Sequence, residues 1–109
     1  MIRISFKRDS EGNPTAVRCK GHAGFAKAGK DIVCAAVSVL VINTINSIEE
    51  FTDDTFECES NEKDGYIYFS LNDSCSKEAL LLMKSLELGI KGVMNDTTKK
   101  FISLIDWEV

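Results

Sequence analysis

The chain's only histidine, His22, stands twelve residues before Cys34, and this pair is the first candidate for chemistry in the 109-residue sequence. A cysteine attacks as its thiolate, and because a free thiol has a pKa of about 8.5 it needs a nearby cation, base or dipole. Imidazole can take the thiol's proton and later return it to a leaving amine. Asp31 reads as the N-cap of a helix, which makes Cys34 the third residue of its first turn, where unpaired N–H groups and the helix dipole favour an anion. Backbone N–H groups around Cys34 would then receive a developing oxyanion. Asp31 also complicates the site, since a carboxylate beside a thiol opposes ionisation unless it is held toward the helix amides or His22. Ser38 lies one helical turn beyond Cys34 on the same face, so Asp31 and Ser38 are its supporting candidates.

Other readings of the same residues stay open. Cys34 could be one small hydrophobe among Ile32, Val33, Ala35 and Ala36, with His22 a polar residue at a strand end and Ser38 bonded to its own helix backbone. Cys19, His22 and Cys34 could supply three zinc ligands with one open position, although the spacing matches no common zinc signature. No metal or cofactor is expected. Gly21-His22-Ala23-Gly24 lacks the Gly-Lys-Ser/Thr of a phosphate loop and any dinucleotide fingerprint, and Cys58 and Cys75 read as a strand residue and a helix-start residue with no assigned role.

The elements that position these residues follow from periodicity. Ile2, Ile4 and Phe6 alternate with polar residues as a half-buried strand does, and Asp9 to Pro14 supplies a turn with Gly12 free to take positive φ. Thr15 to Lys20 returns with Thr15, Val17 and Cys19 on one face, which leaves His22 just past a strand end. Residues 23 to 30 read as a mobile loop carrying Gly24 and Gly29. From Ile32 to Ile42 only Ser38 is polar, so the helix must be covered by its own sheet and second helix or by another subunit. Phe56 to Glu59 and Tyr66 to Leu71 form a hairpin around Asp64-Gly65. Asn72, Asp73 and Ser74 offer the next N-cap, followed by an amphipathic helix through Ala79, Leu82, Met83, Leu86, Ile90 and Val93. The last strand sets Phe101, Ile105, Trp107 and Val109 on one apolar face against Ile102, Leu104, Asp106 and Glu108. The order ββαββαβ predicts an α+β domain, two helices packed on a mixed or antiparallel sheet, with residues 1–109 as a single domain.

The bulk numbers restrict the function class. A net charge of -4 argues against a protein built mainly to hold nucleic acid, so direct nucleic-acid binding is not the expectation. The charge is nonetheless uneven, since residues 1 to 30 carry seven Lys/Arg against two acids and the remainder six against fifteen. Four dispersed cysteines fit reduced thiols and a cytoplasmic setting. No segment is expected to reach membrane-spanning length, and no membrane partner is expected.

The block Gly21-His22-Ala23-Gly24-Phe25-Ala26, a short loop with Gly29, then Asp31-Ile32-Val33-Cys34-Ala35-Ala36-Val37-Ser38 resembles the bacterial ribosomal-processing cysteine proteases called Prp. The resemblance implies that Cys34 is a nucleophile paired with His22 in a dyad. It implies as substrate a large-subunit ribosomal protein, the twenty-seventh by name, whose N-terminal extension is cut off after an aromatic residue. It further implies a homodimer, and a loop between His22 and Cys34 that moves over the substrate with Gly21, Gly24 and Gly29 permitting the motion. The alternative from another class is a non-catalytic ribosome-assembly or RNA-binding module using the basic first thirty residues.

Overall fold

Alternation in the first twenty residues becomes two antiparallel strands, β1 (Ile2–Arg8) and β2 (Pro14–Lys20), paired with Ile4 opposite Cys19 and Phe6 opposite Val17. The computed structural model describes residues 2–21, 30–61, 65–95 and 101–106, with Lys30 and Asp31 described by backbone alone. The turn between β1 and β2 forms as its residues predict. Asp9 accepts from the backbone N–H groups of Glu11 and Asn13, both at 2.9 Å, and Gly12 takes φ 85°.

The remaining elements are α1 (Lys30–Phe51), β3 (Phe56–Asn61), β4 (Tyr66–Leu71), α2 (Lys77–Val93) and β5 (Ile102–Asp106). The five strands make one sheet in the order β3-β4-β2-β1-β5, antiparallel except for the parallel β1–β5 pair. The fold is therefore the expected single α+β domain with a mixed sheet. One sheet face, formed by Ile2, Ile4, Phe6, Val17, Cys19 and Phe69, packs with Val33, Val37, Val41 and Ile48 of α1 and with Ala79, Met83, Leu86 and Ile90 of α2 into one core. Where the helices meet, a Cβ on Gly89 would stand 3.0 Å from Leu40 Cδ2, so the absence of a side chain there lets them approach closely.

Four details differ from the sequence expectation. The final strand turns its other parity inward, with Ile102 buried and Ile105 55 % exposed. Parallel pairing in register, Ile2 with Ile102 and Ile4 with Leu104, sets those side chains on the core face whatever the strand's own composition prefers. The cap of α2 is Ser76 rather than Asn72, Asp73 or Ser74. Ser76 Oγ accepts from Ala79 N–H at 3.1 Å while Ser76 donates its N–H (2.6 Å) and O–H (2.5 Å) to Asp54. The start of α1 falls at Lys30, which bears on the site below. Finally, Ile32–Phe51 of α1 is long and apolar enough to cross a membrane by length and composition, contrary to the expectation that no segment is. Its stripe Val33, Val37, Val41, Thr44 and Ile48 is buried in the core, as suits a core helix, while Ile32, Val39, Ile42 and Phe51 are exposed.

The Asp54–Ser76 link predicts an acid-sensitive joint. Hydrogen bonds from the Ser76 hydroxyl and N–H hold the Asp54 carboxyl below its ordinary value. A carboxyl depressed in the folded state adds stability above its unfolded pKa of about 3.9, and that stability is lost as pH falls through the folded value. The urea midpoint of Asp54→Ala should therefore lie below wild type at neutral pH, and the gap should narrow on acidification. A gap constant from neutral pH into strong acid would show that the carboxylate does not stabilise this joint.

Candidate active site

Helical spacing from Cys34 reaches Ser38, Val41, Ile42, Ile45 and Asn46, so one face of α1 offers a thiol, a hydroxyl, an amide and an apolar wall. Opposite stand Ile2, Cys19, Ile67, Cys58 and Ser60 from the sheet, and between the two walls lies a cavity of about 490 Å³. That volume falls in the range that binds a drug-sized ligand or a few side chains. The mixture of apolar walls with Asn46, Asn61 and Ser38 suits a short extended peptide, whose side chains need apolar space and whose backbone needs hydrogen-bonding groups.

Of the residues singled out from sequence, Gly21, Cys34 and Ser38 come together on this cavity. Gly21 has φ 111°, a conformation that L side chains rarely adopt, and its N–H donates to the Gly65 carbonyl at 3.1 Å. That bond fixes the direction in which the chain leaves β2. His22, Gly24 and Gly29 lie outside the described residues, as does the side chain of Asp31. The backbone places Asp31 as the second residue of α1 and not as its N-cap, because the helix begins one residue earlier. Cys34 is consequently the fifth helical residue, past the four amides that lack an intrahelical acceptor, so its own N–H belongs to the helix ladder and is not an oxyanion donor. Any dipole contribution is also weaker there than in the first turn.

The described cysteines are all free thiols, and they differ in surroundings. Cys19 is 8 % exposed, and burial pushes its thiol up to about 12. Burial also raises Cys58, and burial with the Asp54 carboxylate raises Cys75. These three favour the neutral thiol, which is the poor nucleophile. For the zinc reading this is unfavourable too, since Cys19 would have to ionise within the core. Cys34 is half-buried at the cavity wall.

Sequence reasoning assigned no role to Cys58, and did not single out Asn46, Asn61 or Tyr66, all of which line the cavity. Asn46 was legible, being twelve residues and so just over three turns along the Cys34 face. The β3 and β4 residues were not, because their place depends on pairing between strands.

A model of the family described as Cysteine protease Prp matches residues 1–103 of the chain. The Ribosomal processing cysteine protease Prp of Bacillus subtilis is 27% identical over 100 residues, covering 88% of this chain and 89% of the relative. That of Staphylococcus aureus strain NCTC 8325 is 26% identical over 93 residues, covering 85% and 88%. Among solved structures, SMU.848 from Streptococcus mutans is 33% identical, with a TM-score of 0.85 and coverage of 97% and 93%. The processing protease Prp from S. aureus in complex with a substrate peptide is 23% identical and superposes with a TM-score of 0.89, covering 98% of this chain and 100% of that one.

Proposed function

The chain belongs to the cysteine protease Prp family, and from that premise we propose that Cys34 is the nucleophile and His22 its proton carrier in removing the N-terminal extension of a large-subunit ribosomal protein, the twenty-seventh, in the cytoplasm. The observation that carries the reading is the cavity that Cys34 and Ser38 share with an apolar sheet wall. In the proposed sequence His22 accepts the thiol proton as Cys34 Sγ bonds to the scissile carbonyl carbon. The C–N bond then breaks, the amine leaves with the proton from His22, and a thioester remains on Cys34. Water, deprotonated by His22, adds to the thioester, the C–S bond breaks, and the N-terminal peptide departs as a carboxylate. Val41, Ile42 and Ile45 offer the apolar surface that an aromatic residue before the cleaved bond requires. Ser38 and Asn46, which line the same cavity, would hydrogen-bond the peptide backbone.

The direct test is to mix the protein with the extended ribosomal protein and read intact masses. One defined N-terminal peptide should be lost, and His22→Ala should slow this loss by at least about a hundredfold, the scale of general acid–base catalysis. Undiminished cleavage by that variant would remove His22 from the mechanism.

A homodimer is part of this proposal, supported by Ile32 at 74 % and Val39 at 66 % exposure, seven residues apart on one face of α1. Apolar side chains grouped along one helix favour burial against a partner. Val39→Lys should halve the sedimenting mass, and a mass unchanged by it would place the contact elsewhere.

A further inference from the structure

Strand β3 is one edge of the sheet, and the hydrogen-bond parity of its neighbours decides which of its backbone groups are left over. The Gly21 N–H donates to the Gly65 carbonyl at 3.1 Å on the register that pairs Cys19 with Ile67 and Val17 with Phe69, so the odd positions of β4 bond β2. The even positions of β4 therefore bond β3. The Asn72 N–H agrees, donating to the Thr55 carbonyl at 3.2 Å one step beyond the Phe56–Leu71 pair, which makes Glu57–Ser70 and Glu59–Tyr68 the hydrogen-bonded pairs. Phe56, Cys58 and Ser60 consequently turn their N–H and C=O groups away from β4, to the open edge. Their side chains share the face of Leu71, Phe69 and Ile67, on which the helices pack, and Cys58 and Ser60 line the Cys34 cavity. Across that cavity Ile42 of α1 is 48 % exposed. Glu57 and Glu59 stand on the other face, both exposed, and among the described residues neither forms an ion pair. By register the β2 cations Arg18 and Lys20 lie two strands from Glu59 and Asn61, beyond Tyr68 and Tyr66, roughly 9–10 Å away.

We propose that the open edge of β3 takes up the substrate as an added strand, an extended segment with apolar side chains at alternate positions and Lys or Arg between them. Peptide residues level with Cys58 and Ser60 turn into the cavity, while those level with Glu57 and Glu59 turn to the acidic face. Main-chain hydrogen bonds to Phe56, Cys58 and Ser60 supply affinity, and the two rows of neighbouring side chains select the sequence. The added strand is the substrate of the proposed proteolysis, so this site rests on that reading for its occupant. A second copy of this chain fits the edge less well. Two β3 strands paired antiparallel about Cys58 set Glu57 of each copy opposite Glu59 of the other, and like charges directly opposite are destabilising. The same carboxylates repel nucleic acid.

The test is amide exchange on Cys34→Ala, which should bind without cutting, with a synthetic peptide covering the N-terminal extension of the ribosomal protein. Without peptide, the amides of Cys58 and Ser60 should exchange rapidly although those of Glu57 and Glu59 are protected. With saturating peptide, Cys58 and Ser60 should slow by about tenfold or more. Ser60→Pro removes an outward N–H and no bond to β4, a change that edge strands accept. It should weaken binding by about tenfold, the worth of one main-chain hydrogen bond, and by far more than Ser60→Ala does. Among designed peptides that differ only at the positions level with Glu57 and Glu59, Lys should bind about fivefold tighter than Glu, and Glu57→Lys with Glu59→Lys should reverse that order. Should Ser60→Pro melt early, the exchange and charge-reversal measurements still decide. Cleavage by the wild-type protein with no added protection at Cys58 and Ser60 overturns the strand-edge site and leaves the protease standing. Protection without cleavage by the wild type upholds the edge as a peptide site and removes the protease. Protection already present without peptide, with a sedimenting mass that Ser60→Pro halves, overturns the proposal by making the edge a contact between copies.

Discussion

Replacing Cys34 with alanine is expected to abolish peptide cleavage, lowering kcat by about 10⁴-fold or more, the scale seen when an enzyme's nucleophile is removed. The change deletes one sulfur from a half-buried cavity wall, so the thermal melt should move little. Cys34→Ser keeps the shape yet should be nearly as inactive, because a serine hydroxyl is far harder to ionise than a thiol. Two further cysteines line the same cavity and act as internal controls. Cys58→Ala and Cys19→Ala should retain cleavage within a few fold, since burial pushes the Cys19 thiol up to about 12 and desolvation also raises that of the exposed Cys58. Alkylation by iodoacetamide should label Cys34 in step with loss of activity, and Cys19 only after denaturation. Cleavage persisting in Cys34→Ala, or lost in Cys58→Ala with Cys34 intact, would move the nucleophile to the sheet wall.

Much of this site was legible because it is written on one helix. Cys34, Ser38, Ile42, Ile45 and Asn46 share a face through helical spacing alone, and the apolar run from Ile32 to Ile42 announced that the helix is packed against a core. The central strands were equally plain, since Ile2, Ile4 and Phe6 alternate strictly and Gly12 marks the turn. What escaped depends on partners distant in the chain. Ser76 caps α2 because Asp54, 22 residues earlier, holds its N–H and hydroxyl, and no local pattern distinguishes it from Ser74. Ile105 looked inward by composition, but pairing with a strand nearly the whole chain away decided otherwise. Asp31 failed as a cap for a different reason. Capping propensity is worth only about 1 kcal/mol, too little to fix a helix start against the surrounding chain.

The second large effect concerns how the sheet wall of the cavity is held. Phe69→Ala is expected to cost about 3–5 kcal/mol, as loss of a buried aromatic ring does. Phe69 is 0 % exposed and sits in β4 opposite Val17 of β2 on one side and Cys58 of β3 on the other. Its ring lies 5.0 Å from that of Phe56, tilted by 44°. Against a total stability of about 5–15 kcal/mol this is a large fraction, and the melting temperature should fall by roughly 15 °C or more. Phe69→Leu should cost clearly less, because it leaves a smaller void. The damage should also be uneven. Strand β3 is an edge strand exposed along most of its length, and its half-buried Phe56 rests on the ring that the substitution removes. Amide exchange in β3 should therefore quicken before exchange in β1 and β2, which keep each other and the helices. Because Cys58 and Ser60 of β3 form part of the cavity wall, cleavage should fail at a temperature below the global melt. Uniform acceleration of exchange across all strands would instead mean that β3 is held by its backbone ladder to β4 and that the cavity unfolds only with the whole domain.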